Sequence, residues 1–414
     1  MLIKPHLLRW LSRKLLDVRR QVRLRRFSPA CLVSEDFLNI LLSAVFFFFF
    51  SSCTGSLFEE LGTNIAEPIS VAVDSTNNRA YLVNSNNELK YENGSIITLD
   101  ITDPAAPQSL TSVSPIAISS YSGQAYIDPA NRLLFLTNRA SENKTDLSDP
   151  LLKVALDDTS TSFGQVESYD IGENPFGISC CDAAGRGYVT TQGGSVVAFD
   201  PNSPGTQTPI SLQVPLSTGL FLGKSSTRVA VSASQVFVSN LSGLLYVING
   251  SDLSIDYVLT GAGVPRGIAV DTTDPDGDGA RTQNLYIVDA TTSTQGLRII
   301  PLSSIPPLEA SVAMQEVDIA TVQGAKIDLG TDPGEIALLG DQAYVTNRGD
   351  DTVSILNLSS GLVETKITVG DEPFGLAAFT GSNGTNYLYV TNLASNSMSV
   401  IDLGSNTVVA TFTN

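Results

Sequence analysis

Residues 333–369 read PGEIALLGDQAYVTNRGDDTVSILNLSSGLVETKITV, and residues 373–412 read PFGLAAFTGSNGTNYLYVTNLASNSMSVIDLGSNTVVATF. The opening prolines, Pro333 and Pro373, stand 40 residues apart. A period near 40 residues with four short apolar runs per unit is the sequence pattern of a propeller blade. In Tyr344-Val345-Thr346-Asn347 successive side chains point to opposite faces, so each face carries two residues for a neighbouring sheet. Such a sheet has no partner alone; radial stacking covers both faces and leaves only short edges.

The unit can be followed back through the chain. The first starts at Pro68 and continues to Ala80-Tyr81-Leu82-Val83-Asn84. The second begins near Gly123 and contains Leu134-Phe135-Leu136-Thr137-Asn138-Arg139. The third opens with Pro175-Phe176-Gly177-Ile178. The fourth lacks the proline and contains Gln235-Val236-Phe237-Val238-Ser239-Asn240; the fifth opens with Pro265-Arg266-Gly267-Ile268. With the quoted pair this makes seven units, so an all-β fold is expected: a propeller of seven four-stranded blades over residues 68–414. Loop insertions stretch units one and two and leave six or eight blades open. A β-sandwich, the rival architecture, has no reason to repeat a Pro–strand–Tyr–Asn pattern at this spacing.

The Tyr-Val-Thr-Asn runs at 344–347 and 389–392, the Pro-Phe-Gly openings, and Ser-Val-Ile-Asp at 399–402 resemble the YVTN-repeat β-propeller family. The likeness is strongest in the last two units and degenerate in the first, second and fourth. It implies a fold and an envelope or surface location more than a reaction. It also implies that the Pro-x-Gly turns ring one mouth of the central channel. Here that ring would include Ile69, Phe176, Arg266, Glu335 and Phe374, a mix of aromatic and charged residues suited to recognising a small ligand or a peptide loop. The plain alternative is that proline and glycine make the turn and the phenylalanines cap a neighbouring blade.

The N-terminal part is unlike the rest. Residues 1–52 carry nine Lys/Arg against three Asp/Glu, a local charge of +6, which leaves −24 of the whole-chain −18 on residues 53–414. Residues 37–50, FLNILLSAVFFFFF, are 14 almost wholly apolar residues. That is short of the roughly 20 a membrane span needs and fits the apolar core of a signal peptide. Ser51-Ser52-Cys53 follows at once and resembles the bacterial lipoprotein processing site, which implies cleavage and lipidation at Cys53. An ordinary signal peptide or an uncleaved anchor over residues 1–52 stays open, with residues 53–67 as a tether. The expected location is the bacterial cell envelope, on the outer membrane or cell surface, with a periplasmic or secreted protein as the alternative.

Composition narrows the chemistry. The single histidine, His6, lies in the leader, so the remaining chain has none. That excludes a Ser–His–Asp triad, a histidine metal site and axial histidine ligation of haem there. A charge of −24 repels nucleic acid and anionic lipid surfaces, so no nucleic-acid partner is expected. Asp274, Asp276 and Asp278 alternate around Pro275, Gly277 and Gly279. Alternating carboxylates can wrap calcium, although the distal Glu of an EF-hand is replaced by Leu285. A structural calcium clamp and a solvated acidic turn both fit; no cofactor is required. Cys180-Cys181 reads as two small residues in an inner strand, at least one of them buried.

Three functions follow. The first is a non-catalytic, lipid-anchored, monomeric propeller that binds an envelope protein, a glycan or a small ligand through one rim. The second is a lactonase-like hydrolase or isomerase using channel carboxylates. The third is a calcium-dependent adhesion module.

Overall fold

The computed structural model describes residues 64–86, 93–139, 150–217, 226–271, 283–309, 311–322 and 324–413. Cys53 and Asp274, Asp276 and Asp278 lie outside the described residues, as does the whole 1–52 leader. The described chain is almost entirely strand, with two single-turn 3-10 segments. No helix among the described residues is long and apolar enough to cross a membrane.

Seven antiparallel sheets follow one another along the chain, each built on four strands in sequence order. The innermost strands are Pro68–Asp74, Ser122–Asp128, Pro175–Ser179, Ser226–Val231, Pro265–Val270, Pro333–Leu339 and Pro373–Thr380, and they define blades 1 to 7. The sequence count of seven therefore holds. Blade 2, one of the stretched units, keeps its meander through Leu133–Asn138, Pro150–Ala155 and Val166–Asp170.

The two-residue period of a strand explains why the blades stack. On the second strand of blade 1, Tyr81 and Val83 pack with Leu134 and Leu136 of blade 2. Ala80 and Leu82, one residue out of phase, pack with Phe379 and Tyr389 of blade 7. The same alternation recurs in blade 6, where Val345 faces blade 5 and Tyr344 faces blade 7. Each fully buried aliphatic or aromatic side chain of this kind contributes about 1.5–3 kcal/mol. A one-residue slip would turn the whole set to the wrong neighbour, which pins the register.

Blades 7 and 1 close the ring without exchanging a strand. Thr407–Phe412 is the outer strand of blade 7, and residues 64–67 add none. Closure rests on the shared core and on two hydrogen bonds: Tyr389 Oη donates to the Pro104 carbonyl at 2.8 Å, and the Glu67 amide donates to Asn396 Oδ1 at 2.7 Å.

Two places depart from the sequence expectation. Residues 301–331, which the sequence pattern leaves unassigned, extend blade 4 and complete blade 5. Gln315–Asp318 adds a fifth, parallel strand to Ile255–Thr260 at the outer edge of blade 4. Ala325–Ile327 then returns as the outer strand of blade 5. The excursion covers an edge that would otherwise present unpaired backbone groups. The innermost strand of blade 3 ends at Ser179, one residue before the cysteines. Asp182 accepts from the Ala184 and Arg186 amides and turns the chain out of the sheet. Cys180 is consequently half-buried, Cys181 is exposed, and the two are joined as a disulfide.

Candidate binding site at the channel mouth

The site is easiest to see against the residues that repeat. The threonine of Tyr-Val-Thr-Asn accepts from the amide of the turn ahead of it: Thr190 Oγ1 from Gly177 at 2.9 Å, Thr346 from Glu335 at 2.9 Å, and Thr391 from Gly375 at 2.8 Å. Thr137 instead donates to the Phe176 carbonyl of the next blade at 2.6 Å. The asparagine clasps its own blade. Asn347 Oδ1 accepts from the Gly330 amide at 3.0 Å, while its Nδ2 donates to Thr352 and Ser354 on the third strand at 3.0 and 2.9 Å. Asn392 Nδ2 reaches Ser397 and Ser399 in the same way, at 2.9 and 3.0 Å.

Blade 5 has Asp289 at this position, which can only accept. Its partners are accordingly donors: the Val264 and Thr291 amides, Thr294 Oγ1 at 3.1 Å and Arg298 at 3.5 Å. Although burial alone would raise the Asp289 carboxyl, these hydrogen bonds hold it below the usual carboxylate range.

Glycine in the Pro-x-Gly turn is required where blades meet. A Cβ on Gly177 would lie 2.5 Å from the Thr227 carbonyl oxygen, and one on Gly375 would lie 2.5 Å from that of Ile69. Four blades break this rule: blade 1 has the small Ser70 at this position, and the other three have larger polar residues. Gln124, Arg228 and Glu335 occupy the glycine position in blades 2, 4 and 6, and the ring brings all three together. The Arg228 guanidinium donates to one oxygen of Glu335, and Gln124 Nε2 donates to the other at 3.1 Å. Arg228 is 8% and Glu335 9% exposed, so the pair sits out of bulk water. The guanidinium also lies over the Phe176 ring, 4.4 Å from its centroid.

Next to this polar layer is an aliphatic one. Val71, Ala125, Ile178, Val229, Ile268, Ile336 and Leu376 occupy one register position of the seven innermost strands, each opposite Val, Leu or Ile on the second strand. The two layers line a partly open cavity of about 210 Å³.

The sequence-selected rim residues are spread over this mouth. Phe176 is buried, with Arg228 on it and Arg139 5.2 Å from its centroid. Phe374 is half-buried with Arg348 at 5.3 Å, and Arg348 also bonds Glu372 at 3.3 Å. Ile69 is buried. Arg266 is ion-paired to Asp332 at 2.7 Å and stays partly exposed. Glu335 stands one residue beyond the variable turn position, which Gly334 fills, so it enters the channel instead of ringing it.

Sequence reasoning missed Arg228, Gln124 and the paired arginines. Blades 2 and 4 lack the opening proline, which hid the alignment of Gln124 and Arg228 with the glycines. The arginines did leave a signal: Thr-Asn-Arg at 137–139 and 346–348 is followed, one unit later, by Pro-Phe-Gly.

Among the described residues no group of three or more His, Cys, Asp or Glu side chains is placed to hold a metal ion. No family model matches this chain, and no curated protein matches it in sequence. Among solved structures it is similar to a chain of hydrazine synthase from Kuenenia stuttgartiensis, with a TM-score of 0.59 and 13% identity over 84% of this chain and 98% of that one. At this identity the likeness concerns the fold, and the chain is a seven-bladed β-propeller.

Proposed function

We propose that this protein is a non-catalytic binding propeller, held at the bacterial cell envelope by a lipid on Cys53, that takes a small ligand, a glycan or a protein loop at the Pro-x-Gly mouth. One observation carries the binding reading. The threonine is present in four blades and the asparagine in five, where they hold the blades together, whereas the large polar residues Gln124, Arg228 and Glu335 replace the turn glycine and converge. A scaffold role alone does not ask for a glutamine, an arginine and a glutamate at positions where other blades carry glycine or serine. The anchor reading is supported by the apolar run at 37–50 and the Ser-Ser-Cys that follows it.

The carboxylate-hydrolase alternative has less support. Glu335 is the one carboxylate among the residues lining the cavity, and Arg228 and Gln124 already occupy its two oxygens.

The test has two arms. Mass spectrometry of the protein recovered from the membrane fraction is expected to show a chain that begins at a lipid-modified Cys53. Recovery of the unprocessed chain in the cytosol would overturn the anchor reading. A glycan and peptidoglycan-fragment array probed with the full-length protein and with Arg266→Ala/Phe374→Ala is expected to show binding that the double substitution weakens. Identical profiles for both would overturn recognition by the rim.

A further inference from the structure

Cys180 and Cys181 are joined as a disulfide just past the innermost strand of blade 3, at the end away from its Pro-x-Gly turn. The architecture does not need this bond. Adjacent residues close the smallest loop a disulfide can close, so the bond removes little chain entropy and ties no blade to another. A domain of this size holds its core without one. The backbone on both sides is pinned by other contacts. Ser179 pairs with Tyr188 on the second strand, and the Ala183 amide donates to the Ala233 carbonyl of blade 4 at 3.0 Å. Buried Asp182 accepts from the Ala184 and Arg186 amides at 2.9 and 3.0 Å and from Tyr188 Oη at 2.5 Å. Cys181 is exposed, Cys180 is half-buried, and Ala183, Ala184 and Gly185 after them are exposed and small. No bulky side chain of this turn stands in front of Cys181.

We infer that Cys180 and Cys181 form a redox site that takes two electrons from a dithiol and gives them up to a disulfide. One thiolate of the dithiol attacks Cys181 Sγ, the bond to Cys180 Sγ breaks, and Cys180 leaves as a thiolate that takes up a proton. Cys181 is then held in a mixed disulfide. The second thiolate attacks the dithiol sulfur in that bond, and Cys181 leaves as a thiolate and is protonated in turn. The cysteine pair has gained two electrons and two protons, and the dithiol has become a disulfide. A dithiol is required because the freed Cys180 stands beside the mixed disulfide. At that effective concentration it expels a monothiol before a second one arrives. The pinned backbone keeps the reduced thiols adjacent, so a disulfide oxidant restores the bond by the reverse steps. The site is separate from the mouth, and its failure would leave the Cys53 and rim results untouched.

The test treats the folded full-length protein, without denaturant, with dithiothreitol or with glutathione at equal thiol concentration. N-ethylmaleimide stops the reaction, and peptide mapping by mass spectrometry separates the pair from Cys31 and Cys53. The Cys180-Cys181 peptide is expected to be unlabelled before reduction and doubly labelled after dithiothreitol, with glutathione about tenfold less effective or worse. Removing the dithiol and adding glutathione disulfide is expected to restore the unlabelled pair. The melting temperatures of the oxidised and reduced proteins are expected to agree within about 3 °C, because the closed loop is so short. Labelling before reduction, labelling only in denaturant, equal action of the two reductants or failure to reoxidise would overturn the inference. A larger fall in melting temperature would make the bond a staple and overturn it too. Single variants locate the attacked sulfur. Cys180→Ser, which leaves the exposed Cys181, is expected to form a mixed disulfide with glutathione disulfide about tenfold faster than Cys181→Ser. The reverse order would overturn attack at Cys181. Should a variant fail to fold, the wild-type reductions decide alone.

Discussion

Arg228 on blade 4 donates to Glu335 on blade 6, so two blades that are not neighbours are tied across the channel. Removing one partner leaves the other charge buried and unpaired. Arg228→Met alone and Glu335→Leu alone are therefore each expected to cost about 3–5 kcal/mol. The double substitution Arg228→Met/Glu335→Leu replaces the pair with apolar groups of similar volume and is expected to cost much less than the sum of the single changes. Denaturant unfolding of the four proteins checks this, and simple additivity would show that the pair is not coupled.

The threonine clasp gives a second prediction. Thr346→Val keeps the shape but removes the acceptor for the buried Glu335 amide. A loss of about 1–3 kcal/mol is expected, the cost of an unsatisfied buried donor. Thr391→Val, which orphans the Gly375 amide, is expected to behave alike, since the two clasps repeat the same geometry. Chemical denaturation measures both.

Asp158 sets an acid limit at the junction of blades 1 and 2. It bonds Arg79 at 2.8 Å and Arg132 at 2.5 Å, and its side chain is 11% exposed. Burial alone would raise its carboxyl, but the hydrogen bonds and charges of the two arginines outweigh burial and hold it below the usual range. A carboxyl lowered in the native state contributes stability above its unfolded value, about 3.9, and loses it as pH falls through the native value. The melting temperature of the wild type is expected to drop steeply below about pH 4. Asp158→Asn is expected to be less stable at neutral pH and to show a shallower acid limb; parallel acid limbs would assign the loss to other groups.

The calcium proposal for Asp274, Asp276 and Asp278 can be tested without structural detail there. If these carboxylates clamp calcium, chelator lowers the melting temperature of the wild type and added calcium restores it. Asp274→Asn/Asp278→Asn is expected to melt low with or without chelator. A wild type indifferent to chelator would leave a solvated acidic turn.

Much of this architecture is legible in the chain, because a blade is a local object. Its four strands are consecutive, its period is near 40 residues, and the alternation of Tyr344 and Val345 between two interfaces follows from the strand's two-residue repeat. The absence of histidine beyond residue 6 is a fact of the sequence, and it removes whole classes of chemistry before any fold is known. The tertiary structure decided what meets across the channel. Arg228 and Glu335 are 107 residues apart, and Gln124 and Glu335 are 211 apart. Nothing local couples them, because their contact depends on the number of blades and on how far each innermost strand enters the channel. The same holds for residues 315–318, which pair backwards with an earlier blade. Local propensity determines strands and turns; which side chains share the buried centre is set only when the ring closes.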